Sequence, residues 1–303
     1  MRGVSYRPMT EADLSATTLV RKAANEWLAR SEGRDVDPHV PDRPLPQRHL
    51  LRTDPAGSWV AELNDVVVGC AQGYVRGEIW YLSQFFVLPE AQSLGIGHEL
   101  LVRVQADGRE RGARVLAVTA STSQSAHGLY MRHGMHAIGV GYRLSGPIAP
   151  LRSLPEPARG QAPVADCGGV QGAIAGLDRE VWGAERRQEH ALFLAGGFAE
   201  QETSFALTSD GTLLGYGYAM DDGHIGPLAA RSPETQLPLL RTAVDWLTAR
   251  GVERGYCYCL SLNPTLMRAF LDAGWRIGGW SFLLASEPFG QFDRYLPSGG
   301  LLL

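Results

Sequence analysis

One stretch carries the strongest chemical signal. Val87-Leu88-Pro89-Glu90-Ala91-Gln92-Ser93-Leu94-Gly95-Ile96-Gly97-His98 reads as the end of a strand, a turn and the start of a helix. The first N–H groups of a helix have no partner within it, and the macrodipole favours negative charge there. Gly95 and Gly97 let an elongated anion lie against bare backbone. A pyrophosphate-bearing ligand is therefore expected at Gln92–Gly97. Two other phosphate motifs are excluded. A dinucleotide fingerprint needs a third glycine where Leu100 stands, and a P-loop needs a lysine directly after its glycine, which neither Gly95 nor Gly97 has.

The elements that must hold this turn are legible on both sides of it. Val4 to Met9 reads as a strand, and Thr10-Glu11-Ala12-Asp13-Leu14 as a capped helix start. Ser58 to Leu63 and Val66 to Tyr74 form a hairpin around Asn64-Asp65, and Ile79 to Val87 is the next strand. Ile96, Leu100, Leu101 and Val104 share one face of a helix over 96–110, which stops at Gly112. A buried strand over 115–119, a helix over 126–133 closed by Gly134, and a strand over 135–144 follow.

A Gln-x-x-Gly-x-Gly turn after a strand and Val-x-Pro, in this order of elements, resembles the GNAT superfamily of acyl-CoA N-acyltransferases over residues 1–146. In that family the turn holds the pyrophosphate of coenzyme A. The resemblance thus implies cofactor contacts for Gln92, Ser93, Leu94, Gly95, Ile96 and Gly97, with acetyl-CoA as cosubstrate and no metal. Ser123-Gln124-Ser125-Ala126-His127-Gly128-Leu129-Tyr130-Met131-Arg132-His133-Gly134-Met135 is similar to the family's second cofactor segment. There Tyr130 falls on the residue that protonates the leaving thiolate. A phenol with an ordinary pKa of about 10 carries its proton at neutral pH and suits that task. Ser123 replaces the usual Asn and keeps a hydrogen-bonding group; Met135 replaces the usual Phe.

Acyl transfer needs two further groups. A backbone N–H near Phe86 or Val87 is expected to polarise the acyl carbonyl. The acceptor amine must also be neutral. For a lysine-like amine at pH 7 that costs about 4.6 kcal/mol without a base. Relatives place a glutamate six residues before the Val of Val-x-Pro, where this chain has Tyr81. Glu78, read on the same strand, is one candidate base; Tyr81 or Ser83 acting through water is the other.

The chain has 303 residues, about twice what one such domain needs, so two domains are expected. With 28 basic and 32 acidic residues the formal charge is −4, which gives no electrostatic case for nucleic acid. No apolar run is long enough to cross a membrane and residues 1–5 lack a signal-peptide core, so a cytoplasmic protein is expected. Cys70, Cys167, Cys257 and Cys259 lack disulfide or zinc spacing and read as buried thiols. His127, His133 and His136 lack converging metal spacing and read as surface or satisfied core histidines.

A linker over 147–163 precedes an echo of the first half. Asn263-Pro264-Thr265-Leu266-Met267-Arg268-Ala269-Phe270-Leu271-Asp272-Ala273-Gly274-Trp275 lies 140 residues beyond Ser123–Met135, placing Phe270 on Tyr130 and Gly274 on Gly134. The same offset puts Ser232, Thr235 and Leu237 on Gln92, Gly95 and Gly97. The expectation is an α/β (α+β) chain of two tandem GNAT folds, each a mixed, mostly antiparallel twisted sheet flanked by helices. It comprises an intact domain over 1–146, a degenerate one over 164–286 and a tail over 287–303 that packs on the first domain or on a second subunit. The expected activity is transfer of an acetyl group from acetyl-CoA to a primary amine of a small molecule, directly through a tetrahedral intermediate, by a monomer or homodimer. The alternatives are a non-catalytic acyl-CoA sensor or scaffold, and an antibiotic-modifying acetyltransferase.

Overall fold

A computed structural model describes residues 3–34, 44–159, 161–165 and 167–303. Met1, Arg2 and Gly160, which the sequence reading used at the N-terminus and in the linker, lie outside the described residues. The elements run β1 (Val4–Pro8), α1 (Leu14–Ser31), α2 (Leu45–Thr53), β2 (Ser58–Leu63), β3 (Val66–Arg76), β4 (Ile79–Val87), α3 (Ile96–Glu110), β5 (Val115–Ala120), α4 (Gln124–Arg132) and β6 (His136–Pro147). They continue as β7 (Gln161–Ala165), α5 (Gln171–Val181), α6 (Arg187–Ala195), β8 (Glu202–Ser209), β9 (Thr212–Met220), β10 (Ile225–Ala230), α7 (Pro233–Ala249), β11 (Arg254–Leu260), α8 (Pro264–Asp272), β12 (Arg276–Ala285) and β13 (Tyr295–Leu296). The mixed α/β character and the mostly antiparallel sheets are as expected. Helices α2, α5 and α6 are additions to what the sequence pattern indicated.

Two compact units emerge. One comprises Met1–Val118 with Ser123–Met135, the other Thr119–Thr122 with His136–Leu303. In the first, β1, β2, β3 and β4 pair antiparallel in that order, and β4 pairs parallel with β5. The β2–β3 hairpin turns through Asn64 and Asp65 at φ 52° and 65°, the left-handed pair such a turn requires. Thr10 and Asp13 form a reciprocal capping box ahead of α1. Helix α3 buries Ile96, Leu100, Leu101 and Val104 against the sheet. Trp80 locks the same face: its Nε1 donates to Val104 O at 3.1 Å. Gly73 and Gly108 leave room for that indole, since a Cβ at Gly73 would sit 2.6 Å from Nε1. Met9, Leu14, Val60 and Cys70 form a second small core with Leu51, Val67 and Phe86 against it.

In the second unit β6 lies between β11 and β12, antiparallel to both. A strand that follows α4 in the chain therefore pairs with strands of the later repeat. Its glycines explain the fit: a Cβ at Gly141 would strike the Tyr258 ring, and one at Gly146 the Trp275 ring. A five-stranded sheet runs β13-β10-β9-β8-β7. Leu228 and Ala229 of β10 pair with Leu296 and Tyr295 of β13. The tail expected to pack on the first domain or a second subunit thus extends the second unit's own sheet. Backbone hydrogen bonding at an open strand edge supplies the reason. The predicted linker is also anchored: Ile148 and Leu151 are buried with Leu144, Leu240 and Trp275. The four cysteines are free and buried.

Candidate active site

The candidate site is built within the first unit, where β4 runs past its neighbour. The parallel ladder with β5 ends at Leu82 opposite Val118, while β4 continues to Val87. A bulge marks the departure. Gln84 pairs with Gln72 and Leu82 with Gly73, which leaves Ser83 without an opposite residue. The bulge inverts the alternation. Tyr81, Gln84 and Phe86 then share one face, and Leu82, Phe85 and Val87 the other.

The same ladder decides which N–H faces outward. Leu88 N–H donates to Val68 O at 2.8 Å. Donor directions alternate along an antiparallel strand, so Phe86 also points its N–H at β3. Val87 points its N–H and its carbonyl away from β3. The carbonyl accepts from Gln92 Nε2 at 3.2 Å. Of the two expected oxyanion donors, Val87 has the outward N–H and Phe86 does not.

The turn that follows is open. Ser93, Leu94 and Gly95 are exposed, with Ser93 at φ 63° and Gly95 at φ 80°. Gly95 is the N-cap of α3, and no side chain caps that helix. The first internal backbone bond runs from Glu99 N–H to Gly95 O, so the N–H groups of the first turn remain available to an anion. Ile96 turns its side chain into the core beside Gly69. Gly97 serves packing as well as access, because a Cβ there would lie 3.1 Å from Phe85 Cζ. These residues fit a pyrophosphate of the coenzyme A type: unused donors, a left-handed glycine and no side chain over them.

Helix α4 brings Tyr130 to the same place. Tyr130 is 4% exposed, its ring centroid 5.9 Å from that of Phe85. Phe85 therefore touches both the turn at Gly97 and the ring of Tyr130. The sequence signal for it was only an aromatic pair at the end of a strand. Burial raises the Tyr130 phenol above its ordinary value, which keeps its proton in place. Gly134 at φ 81° closes the helix. Ser123, expected to contact the cofactor, caps α4 instead by accepting from Ala126 N–H at 3.5 Å.

One expectation for the base changes. Glu78 is not on the strand but in the turn before it, exposed and 3.2 Å from Arg114. That turn lies at the opposite end of β4 from Val87, roughly 25–30 Å away at the rise of a strand. A carboxylate there cannot reach the reacting atoms. Tyr81 is fully buried on the face opposite Phe85, its ring 5.4 Å from Tyr74. Among the described residues no group of three or more His, Cys, Asp or Glu could hold a metal, and no helix is long and apolar enough to cross a membrane.

The second unit repeats the elements with the openings closed. Ser232 Oγ accepts from Thr235 N–H at 3.4 Å and so caps α7, the counterpart of α3. Asn263 caps α8 at 3.0 Å. Phe270, in the place of Tyr130, is buried with its ring 4.5 Å from Trp275. The buried polar cluster lies elsewhere. Asp178 meets Arg186 at 3.2 Å and His190 at 2.8 Å, and His190 Nδ1 meets the Tyr218 hydroxyl at 2.8 Å.

Known proteins share this fold. Residues 21–135 match the model of the Acetyltransferase (GNAT) family. The chain is similar over 100% of its length, and 95% of the other's, to a candidate acetyltransferase from Pyrococcus horikoshii, at 18% identity and a TM-score of 0.73. A tandem GNAT protein from the clavulanic acid biosynthesis pathway is similar over 94% of this chain and 99% of its own, at 14% identity and TM-score 0.61. A GCN5-related N-acetyltransferase from Sphaerobacter thermophilus covers 94% of this chain and 96% of itself, at 15% identity and TM-score 0.60. No curated protein matches the sequence. The match over residues 21–135 is to a family whose chemistry is acyl transfer, and the solved structures share the fold of this chain.

Proposed function

We propose that the chain is an N-acetyltransferase that moves an acetyl group from acetyl-CoA to a primary amine of a small molecule. The observation that carries this reading is the open start of α3, where Gly95 is left-handed and no side chain covers the first N–H groups. The counterpart helix α7 has filled that place with Ser232. One cofactor site per chain follows, at Gln92–Gly97.

In the proposed reaction Val87 N–H donates to the acyl oxygen as charge builds there. Gln92 steadies Val87 through its carbonyl. Tyr130, buried and protonated, donates to the departing thiolate. The amine approaches from the opposite face of β4, where Tyr81 lies, and its proton leaves through water near Tyr81 and Ser83. Separate faces for acid and acceptor suit direct transfer, because the amine attacks while the thiolate still occupies its own side.

The test is thiol release from acetyl-CoA by purified protein across a library of small amines, with mass detection of acetylated products. Acetylation of one amine class by wild type but not by Tyr130→Phe is expected. Coenzyme A binding without turnover of any amine would favour a sensor. Absence of coenzyme A binding would refute the cofactor assignment.

A further inference from the structure

The two units treat the same cleft differently. In the first, the β4–β5 ladder ends at Leu82, and the edge of β4 beyond it carries the outward Val87 N–H. In the second, β10 approaches β11 in parallel at His224 and Tyr256 and then separates from it. A bulge between Ile225 and Leu228 marks the place, as the bulge at Ser83 does in β4. The edge freed by that departure is filled. β13 stands on it, with Leu296 opposite Leu228 and Tyr295 opposite Ala229.

Groups at the mouth of this cleft hold the tail by its backbone. Gln236, in the first turn of α7, donates through Nε2 to Asp293 O at 2.8 Å. Asn263, 140 residues beyond Ser123, donates through Nδ2 to Tyr295 O at 3.2 Å. The Arg294 guanidinium returns a bond to Arg231 O. The two side chains of β13 then go to opposite faces, as alternation on a strand requires. The Tyr295 hydroxyl accepts from Arg186 Nη1 at 2.5 Å, beside the Asp178–His190 cluster. Leu296 is buried in the apolar core with Leu239, Leu266 and Cys259. Backbone bonds for attachment and one pocket for each alternate side chain are the means by which an added strand is recognised as a ligand. Glu287 and Pro288, which lead into the segment, are exposed.

We infer that the second unit has exchanged a cofactor cleft for a strand-binding cleft, and that residues 292–296 are its resident ligand. That the cleft corresponds to an acyl cleft rests on the acetyl-CoA reading above; the docking of the strand does not. Ser232 caps α7, so the vacated cleft has no open turn for a pyrophosphate and takes a peptide instead.

The test uses the full chain with a protease site placed after Glu287 and cut once the protein has folded. Fragment 288–303 should stay with the remainder through gel filtration and exchange with an added synthetic peptide of residues 288–303. A Leu296→Asp peptide should compete at least tenfold less well, the scale of one buried leucine. Washing the fragment out should speed alkylation of Cys259 at least tenfold while Cys70, in the first unit, keeps its rate. Calorimetry should count one coenzyme A per chain before and after. A fragment that leaves on cutting, or that leaves only as Cys70 also becomes reactive, overturns the inference. So does a second coenzyme A bound once the tail is gone. Failure of the uncut chain to bind coenzyme A would refute the cofactor reading and leave strand exchange standing.

Discussion

Tyr130→Phe separates catalysis from packing because the two effects have opposite signs. The ring is buried against Phe85 at 5.9 Å, and phenylalanine keeps that contact. The hydroxyl has no hydrogen-bond partner among the described residues, and its raised pKa has burial as its sole cause. Burying an unbonded hydroxyl costs about 1–3 kcal/mol, less where some water reaches it. Removing it should therefore leave stability unchanged or raise it by up to about 1 kcal/mol. Removing a general acid should lower kcat by about 10²–10⁴, equivalent to roughly 2.7–5.5 kcal/mol of barrier. The assay is thiol release with acetyl-CoA and the accepted amine, beside urea unfolding and coenzyme A titration of the same variant. Loss of kcat with unchanged coenzyme A affinity and undiminished stability is expected. A donor with a more acidic thiol should lose less, since its thiolate leaves without help. A variant within threefold of wild type in kcat would sink the assignment of Tyr130 as acid. So would one whose lost rate merely tracks lost stability.

Four further outcomes follow from contacts in the structure. Gly97→Val should weaken coenzyme A binding at least tenfold by calorimetry, because the new side chain meets Phe85 3.1 Å from its Cβ and crowds the turn. Gly73→Ala places a methyl 2.6 Å from Trp80 Nε1 and should cost about 1–3 kcal/mol in denaturant unfolding. Asp178→Asn should destabilise the second unit by about 3–5 kcal/mol, since it leaves the buried Arg186 guanidinium without its counter-charge at 3.2 Å; hydrogen exchange of β9 would read it. The hydrogen bond from Arg7 holds the Asp13 carboxyl at about 2, below its unfolded value. Its contribution is therefore present above about pH 4 and lost as pH falls through 2, and Arg7→Met should unfold at a higher pH in an acid titration.

Much of the site is local chemistry and could be read from the chain. Gly95, Gly134 and Gly274 sit at φ 80°, 81° and 80°, conformations that need glycine wherever a helix starts or ends this way. The constant spacing of 140 between Tyr130 and Phe270 carried the repeat, and the periodicity of Ile96, Leu100 and Val104 carried the face of α3. Other assignments depended on partners distant in sequence. The choice of Val87 over Phe86 rests on the phase of the β3–β4 ladder, which the Leu88–Val68 bond sets. The removal of Glu78 rests on where β4 begins. The bulge at Ser83, the seat of β6 between β11 and β12, and the pairing of β13 with β10 each require two segments to meet. The sequence by itself determined which residue types could bind an anion and donate a proton, because backbone conformation and helical period are local properties. Only the tertiary structure decided which N–H, which face and which neighbours those residues have, because strand register and helix contacts are set by packing between segments far apart in the chain.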